Sequence, residues 1–218
     1  VAILTRDDLT VDERERLLAL WERVSFRIYG ICGKDARTRV GDYVRLARST
    51  VRDRLKVEAI EDGLRNIGAE FPIETAVDAL RDSNCYTDWQ QDLRYLLFRY
   101  EEHLAAQAGQ TFDNEQWARI WEAASSDSIE HIHPQSLGEQ QRSETGIFVH
   151  RLGNLMLLPP GLNSRLQAQL PSTKREAYIK TGLHHACDVA GRLASWDRDA
   201  VIQREEELIA WATTQWAD

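Results

Sequence analysis

Four polar residues in the second half of the chain have the types and spacing that a metal-dependent hydrolase needs. Glu130 and His131 are neighbours in the run IEHIHPQS, and Asn154 and Asn163 lie on either side of the apolar run LMLLPPGL. A neutral imidazole has a suitable pKa for taking a proton from water near neutral pH. Carboxylate and amide oxygens suit Mg²⁺ or Mn²⁺, and a second amide can hold the far nitrogen of the imidazole. The pattern predicts phosphodiester hydrolysis, with His131 as general base, Glu130 and Asn163 as ligands of one divalent ion, and Asn154 orienting the base.

Each of these residues also has an ordinary structural interpretation. His131 has the setting of a hydrogen-bonded core histidine, Asn163 that of a helix N-cap, and Asn154 that of a turn residue after a glycine. Two other functions stay open. One is a zinc hydrolase with His131 and His133 as paired ligands, although no third ligand follows at a recognised spacing. The other is a catalytically silent module that binds DNA or serves as a scaffold.

Helical periodicity dominates the first 125 residues. Thr10 and Glu13 have the spacing of a capping box, which predicts a helix start. Apolar stripes predict helices from Thr10 to about Gly30, from Val57 to Gly68, from about Asp88 to Gln107 and from Glu115 to Ala124. No residue pattern in this half suggests catalysis, so we expect it to support the site rather than to form it.

The residue pattern changes at Ser125, where the helical periodicity ends. The runs IEHI, IFVH and NLMLLP have the length of strands, GEQQRSETG is a polar loop, and NSRLQAQL resumes helical character. We therefore predict a mainly α fold with a small embedded ββα unit, braced by helices over residues 172–180, 182–193 and 198–216. The predicted domains are a helical lead-in over residues 1–125, the ββα unit over 126–180 and bracing C-terminal helices over 181–218.

Composition restricts the class of protein. The chain has 218 residues, 43% of them hydrophobic, and a formal net charge of −8. It contains no apolar run of membrane-spanning length and no signal peptide. Three widely spaced cysteines argue against a disulfide framework or a structural zinc site, so we expect a cytoplasmic protein. Because the chain begins with Val1 and its one methionine is Met156, we interpret it as part of a larger protein.

The combined run IEHIHPQS…LGNLMLLPPGLNSRL resembles the ββα-metal, or His-Asn-His (HNH), nuclease motif. More specifically, it resembles the C-terminal nuclease domain of GmrSD-type modification-dependent restriction proteins, which is characterised by His-x-x-Pro, here His131 to Pro134. The upstream runs WERVSFRIYGICGKDARTR and LRYLLFRYEEHL resemble the helical lead-in of that family. The resemblance implies a DNA endonuclease of phage defence, phosphorothioate-sensing relatives included, that is governed by an N-terminal NTP-binding sensor domain. Because the sequence shows one site per chain and a duplex has two strands, we expect nicking.

Carried over by motif position, the resemblance makes His131 the base, Glu130 the acidic metal ligand, Asn154 the orienting asparagine and Asn163 the metal-side residue. Glu130 stands where many HNH motifs have Asp. His133 adds an imidazole that would contact phosphate, assist the metal or simply pack. The segment from His131 to Arg192 carries a formal charge of +3, and we predict that cations in this segment contact the DNA backbone: Arg151, Arg165, Lys174 and Arg175.

Overall fold

The residues that the structure describes form a mainly helical fold with one two-stranded antiparallel sheet. The computed structural model describes residues 1–81, 83–111, 115, 118, 121–122, 124–136, 149–166 and 168–217. It divides into two compact units, residues 1–79 with 212–218, and residues 80–211. The predicted mainly α class is confirmed, whereas the predicted division at residues 125 and 180 stays a prediction.

The helices and strands follow the chain in this order. The first unit contains α1 (Val11–Ser25), a π-helical turn (Phe26–Ile31), α2 (Val40–Arg52), α3 (Val57–Gly68) and α4 (Ile73–Asp78). The second unit begins with α5 (Cys85–Asp88), α6 (Gln90–Gln107), α7 (Ser125–Ser128) and β1 (Ile129–His131). A 3₁₀ turn (Leu152–Asn154), β2 (Leu155–Leu157), α8 (Leu162–Leu166), α9 (Pro171–Ile179) and α10 (His184–Arg192) follow. A second 3₁₀ turn (Leu193–Ser195) precedes α11 (Arg198–Gln215).

Helices α1 and α3 pack together in the first unit. The predicted capping box starts α1, because the Thr10 hydroxyl accepts from the Glu13 N–H and the Glu13 carboxylate accepts from the Thr10 N–H. The buried residues follow the predicted stripes and include Leu17, Leu20, Val24, Ile28, Ile60 and Leu64. Trp21 belongs to the predicted stripe but is 47% exposed. This unit therefore has its own apolar core.

The second unit builds its core between the β-hairpin and the C-terminal helices. Strand β1 pairs with β2 in antiparallel register, so that Ile129 lies opposite Leu157. The core residues from these elements include Ile132, Met156, Leu158, Tyr178, Val189, Trp196 and Val201. Because successive side chains of a strand point to opposite faces, one face of the hairpin can pack on helices while the other contributes to a surface.

The predicted strands of the hairpin and the three predicted bracing helices are found beyond Ser125. Strand β1 lies in IEHI and β2 in NLMLLP, and α9, α10 and α11 match the three predicted bracing helices. Val149 and His150 form a turn, so the end of IFVH is not a strand. The rest of IFVH, the loop GEQQRSETG and much of the predicted helix over 115–124 lie outside the described residues. No helix in the described part of the chain is long and apolar enough to cross a membrane.

Candidate active site

A cavity of about 530 Å³ opens beside the hairpin of the second unit. Three of the predicted site residues, Glu130, His131 and Asn163, line this cavity. Asp127 and Tyr86 line it as well. The structure therefore brings the predicted base and both predicted metal ligands to one concave surface, together with a second carboxylate and an aromatic ring.

Strand β1 determines the directions in which the first two of these side chains point. The register places Glu130 opposite Met156 and His131 opposite Leu155. Neighbouring side chains of a strand point to opposite faces, and the contacts follow this rule. Glu130 hydrogen-bonds to side chains of α9, whereas the His131 ring contacts a second histidine.

The His131 ring lies in a cluster of three rings. Its Nε2 is 3.1 Å from Nδ1 of His150, and the Tyr86 ring packs edge-on at a centroid distance of 4.5 Å. His131 is 9% exposed. Burial is the main cause that lowers the pKa of His131 to about 3, and the charges of His150 and Lys174 act in the same direction. The imidazole of His131 is therefore neutral at neutral pH.

The Asn154 side chain holds the backbone around the site rather than the imidazole itself. Its Oδ1 accepts from the His133 N–H at 2.8 Å and from Trp196 Nε1 at 3.1 Å. Its Nδ2 donates to the carbonyls of His133 at 3.0 Å and Val149 at 2.8 Å. An amide has two N–H donors and two acceptor lone pairs, so these four bonds use its full capacity. The predicted contact from Asn154 to His131 is not formed.

Glu130 belongs to a buried polar cluster with α9. Lys174 Nζ donates to Glu130 Oε1 at 2.6 Å and to the carbonyls of His131 and Ile132 at 2.8 and 3.1 Å, and Tyr178 donates to the same Oε1 at 2.9 Å. Burial raises the pKa of Glu130 and lowers the pKa of Lys174, and their mutual attraction opposes both shifts. Three acceptors around one nitrogen fit an ammonium, which has three N–H donors.

The predicted DNA-contacting cations divide into two groups. Lys174 is fully buried, and Arg151 is buried against Glu205 in an ion pair of Nε and Nη2 with both carboxylate oxygens. Neither side chain presents its charge to a DNA backbone, because both cations are directed to carboxylates inside the unit. Arg165 and Arg175 are exposed. Only these last two have the placement that the charge-based prediction requires.

Asn163 closes the cavity from the side of α8. Its Nδ2 donates to the carbonyl of Ile129 at 3.0 Å and to that of Asp127 at 3.3 Å. Helix α8 begins at Leu162, so Asn163 lies within its first turn and does not occupy the N-cap position. The amide instead attaches the start of this helix to the backbone that carries the predicted base.

Helix α11 supports the hairpin from its other side. Arg204 Nη1 donates to the carbonyls of Gly153 and Leu155, both at 2.8 Å, and burial lowers the pKa of Arg204 to about 10. Gly153 lies so close to α11 that an added Cβ would meet the carbonyl oxygen of Val201 at 1.9 Å. A side chain at this position is therefore incompatible with the packing that holds the start of β2.

The remaining histidines do not assemble a zinc site with any described residue. Within the described ranges, no three His, Cys, Asp or Glu side chains form a group that could hold a metal ion. His133 is buried, its pKa is lowered by burial and by Lys174, and its Nε2 has no hydrogen-bond partner among the described residues. His185 connects Glu101 to the Leu157 carbonyl through its two ring nitrogens, at 2.6 and 2.7 Å. The paired-ligand alternative gains no third ligand from this part of the chain.

Three residues at the site were not identified from the sequence: Asp127, Tyr86 and His150. Asp127 lies four positions before His131 but belongs to α7 rather than to β1, so strand periodicity does not connect the two. His150 directly precedes the RLGN run, but a single histidine there does not reveal its partner. Tyr86 is on α5, and no local pattern connects it with β1.

One of the comparisons with known proteins identifies a family for this chain. No curated protein and no solved structure matches the chain. The model of the GmrSD restriction endonucleases, C-terminal domain, matches residues 72–211. The matched range includes the whole second unit, and with it the hairpin, the cavity and the helices that support them. The chain therefore belongs to the C-terminal domain family of the GmrSD restriction endonucleases.

Proposed function

We propose that the second unit is an HNH-type, divalent-metal-dependent DNA endonuclease domain in which His131 takes a proton from the attacking water. One observation carries the proposal: a neutral, largely buried imidazole lines the same cavity as carboxylate and amide side chains. The unprotonated imidazole at the cavity wall can accept a proton, although its pKa of about 3 makes it a weaker base than one that titrates near the operating pH. Oxygen-bearing side chains beside it suit a hard cation.

The oxygen donors at the cavity fit Mg²⁺ or Mn²⁺. Glu130 Oε1 is engaged by Lys174 and Tyr178, whereas Oε2 makes no hydrogen bond with any described residue. Asp127 brings a second carboxylate to the same wall, and the amide of Asn163 faces it from α8. A bound divalent ion would stabilise the negative charge that develops on the phosphate and on the departing oxygen. Glu130, Asn163 and Asp127 are the residues that would hold it.

The chain itself supplies the proton acceptor. His131 Nε2 is occupied by the contact with His150, and Nδ1 makes no hydrogen bond within the described part of the chain. Nδ1 is therefore the atom that would accept the proton of water. Positioned base catalysis of this kind contributes about 10²- to 10⁴-fold in rate. The hydrogen bond from Lys174 Nζ to the His131 carbonyl, at 2.8 Å, holds the backbone of β1 at the base.

Duplex DNA is the proposed substrate, and one site per chain makes nicking the expected outcome. Arg165 and Arg175 are the exposed cations that would contact phosphates, which position the duplex without reading its sequence. We propose that selectivity comes from an NTP-binding sensor domain of the same parent protein, and that the protein acts in the cytoplasm in restriction of modified or invading DNA.

The decisive experiment is cleavage of supercoiled plasmid with Mg²⁺ or Mn²⁺ by the wild type and by His131→Ala. We expect His131→Ala to lose about 10²- to 10⁴-fold in nicking rate. His184→Ala is the matched control, because the His184 ring contacts Gln110 in an exposed position. Near-wild-type nicking by a folded His131→Ala protein would contradict the assignment of the base.

The metal ligands need a separate measurement, since Glu130 also has a structural partner. Asp127→Asn and Asn163→Ala should raise the Mg²⁺ or Mn²⁺ concentration required for half-maximal nicking, and excess metal should restore part of the rate. Calorimetric titration of the same proteins with Mn²⁺ reports the affinity directly. Unchanged affinity in both variants would exclude these two side chains as ligands.

A further inference from the structure

The His131 ring contacts two other rings, and all three contact one another. The ring centroids of Tyr86 and His131 are 4.5 Å apart, those of His131 and His150 are 5.2 Å apart, and those of Tyr86 and His150 are 5.5 Å apart. Tyr86 and His150 stack with an interplanar angle of 10°. The one polar contact in the cluster joins His131 Nε2 and His150 Nδ1 at 3.1 Å.

We propose that His150 is the positioning residue of the base: it holds the His131 ring through this N···N hydrogen bond and keeps the proton of His131 on Nε2. This inference rests on the proposed role of His131. Two neutral imidazoles in contact can place only one hydrogen between the facing nitrogens, so the tautomer of one ring sets the tautomer of the other. With the hydrogen on His131 Nε2, the lone pair of His131 Nδ1 is left to accept a proton.

No other described side chain performs this task. Asn154 was predicted to do it, but its amide is fully used by the backbone and by Trp196. Glu130 points to the opposite face of β1. Among the described residues, His150 alone hydrogen-bonds to the His131 ring. A histidine that acts as a base usually has such a partner on its far nitrogen.

His150 is itself held firmly enough to orient another ring. The carbonyl of the preceding residue, Val149, accepts from Asn154 Nδ2 at 2.8 Å. The following residue, Arg151, forms the buried ion pair with Glu205. The Tyr86 ring lies against the imidazole of His150. Anchors on both sides in the chain and a stacked ring on the face leave the His150 imidazole little freedom to turn away.

The test compares three substitutions of His150 in the whole chain. His150→Asn places an amide oxygen close to the position of Nδ1, so that it can still accept from His131 Nε2. His150→Gln places its amide one bond further along, where it does not overlie Nδ1. His150→Phe keeps a ring for stacking on Tyr86 but removes the acceptor. Thermal unfolding confirms that each protein is folded.

The first readout does not depend on activity. Long-range ¹H–¹⁵N spectra at mildly alkaline pH, where imidazoles are neutral, report which nitrogen of His131 carries the proton. We expect the Nε2–H tautomer in the wild type and in His150→Asn, and a mixture of tautomers in His150→Phe and His150→Gln. A wild-type tautomer in a folded His150→Phe protein would overturn the inference, and so would an Nδ1–H tautomer in the wild type.

The second readout is the nicking rate at saturating metal and DNA. Loss of an orienting partner typically costs about 10- to 100-fold, so we expect this loss in kcat for His150→Phe and His150→Gln, with KM and metal dependence unchanged and with rescue by His150→Asn. Equal losses in all three variants would refute the positioning role. If His131→Ala nicks normally while the tautomer still follows residue 150, the proposed base is wrong and the contact with His150 stands.

Discussion

Replacement of Lys174 by Met tests the most distinctive packing feature near the site. Lys174 was predicted from its charge to contact DNA, but the structure buries it completely and directs its ammonium to three oxygens. Methionine keeps an unbranched apolar stem and removes the charge. The substitution therefore deletes one side of the ion pair with Glu130 and two hydrogen bonds to the backbone of β1 and the residue after it.

The expected cost follows from the partners that remain. Removing one member of a buried ion pair costs about 3–5 kcal/mol, because the other charge stays buried without compensation. Tyr178 still donates to Glu130 and reduces this penalty only in part. Whole domains have about 5–15 kcal/mol of stability, so Lys174→Met should be among the most destabilising single changes in this unit. The double variant Lys174→Met with Glu130→Gln removes the charge and should recover part of the loss.

The double variant should not recover all of the stability that Lys174→Met loses. The carbonyls of His131 and Ile132 would still lack the donor that Lys174 provides, at about 1–3 kcal/mol for each buried group left unsatisfied. Urea unfolding followed by tryptophan fluorescence measures the three proteins, with the exposed Lys180→Met as the matched control. A Lys174→Met protein as stable as Lys180→Met but weaker in DNA binding would refute the buried role and restore the prediction made from charge.

Three further outcomes are expected. Gly153→Ala should lower the stability of the fold by at least the upper part of the 1–3 kcal/mol range that is usual for overpacking, about 3 kcal/mol. Gly191→Ala is the control, because the space around its Cβ is open and it should not destabilise the fold; thermal unfolding compares the two variants. Burial alone would raise the pKa of Glu101, but hydrogen bonds from an imidazole and two backbone N–H groups outweigh it and lower the pKa. Ionised Glu101 therefore stabilises the fold above about pH 4.3, the pKa of a glutamate in the unfolded chain. This contribution is lost as the pH falls through the pKa of Glu101 in the folded protein. The difference in unfolding free energy between wild type and Glu101→Gln should therefore become smaller as the pH falls. Arg165→Ala should weaken DNA binding and lower the slope of log affinity against log salt by about one, while Arg151→Ala should mainly lower the unfolding temperature.

Elements with a local signal could be predicted from the sequence. The long helix α6 was expected over residues 88–107 and is formed by Gln90–Gln107, because its apolar positions repeat at helical spacing within one segment. The capping box at Thr10 and both strands of the hairpin were likewise predicted from a local pattern of residues. In each case the residues that define the element are neighbours in the chain, so tertiary contacts were not needed to identify it.

The partners of the site residues could not be predicted in this way. Glu130 and Lys174 are 44 positions apart, and His131 and His150 are 19 apart. Charge identifies a lysine but not whether its ammonium faces solvent or a buried carboxylate. The order of His131, Asn154 and Asn163 in the sequence indicated where the cavity wall lies. Whether Asn154 or His150 orients the His131 ring could not be predicted, because it depends on which polar groups the fold has already used in other hydrogen bonds.

The contacts between α11 and the hairpin impose an order in time on the assembly of this site. Arg204 reaches carbonyls of residues 51 and 49 positions earlier, and Glu205 holds Arg151 from 54 positions away. A ribosome adds about 5–20 residues per second, so roughly 3–10 seconds pass between the synthesis of the hairpin and that of its supports. During this interval the nascent chain carries the residues of the cavity wall without the contacts that fix the start of β2. Completion of the site is therefore coupled to synthesis of nearly the whole unit.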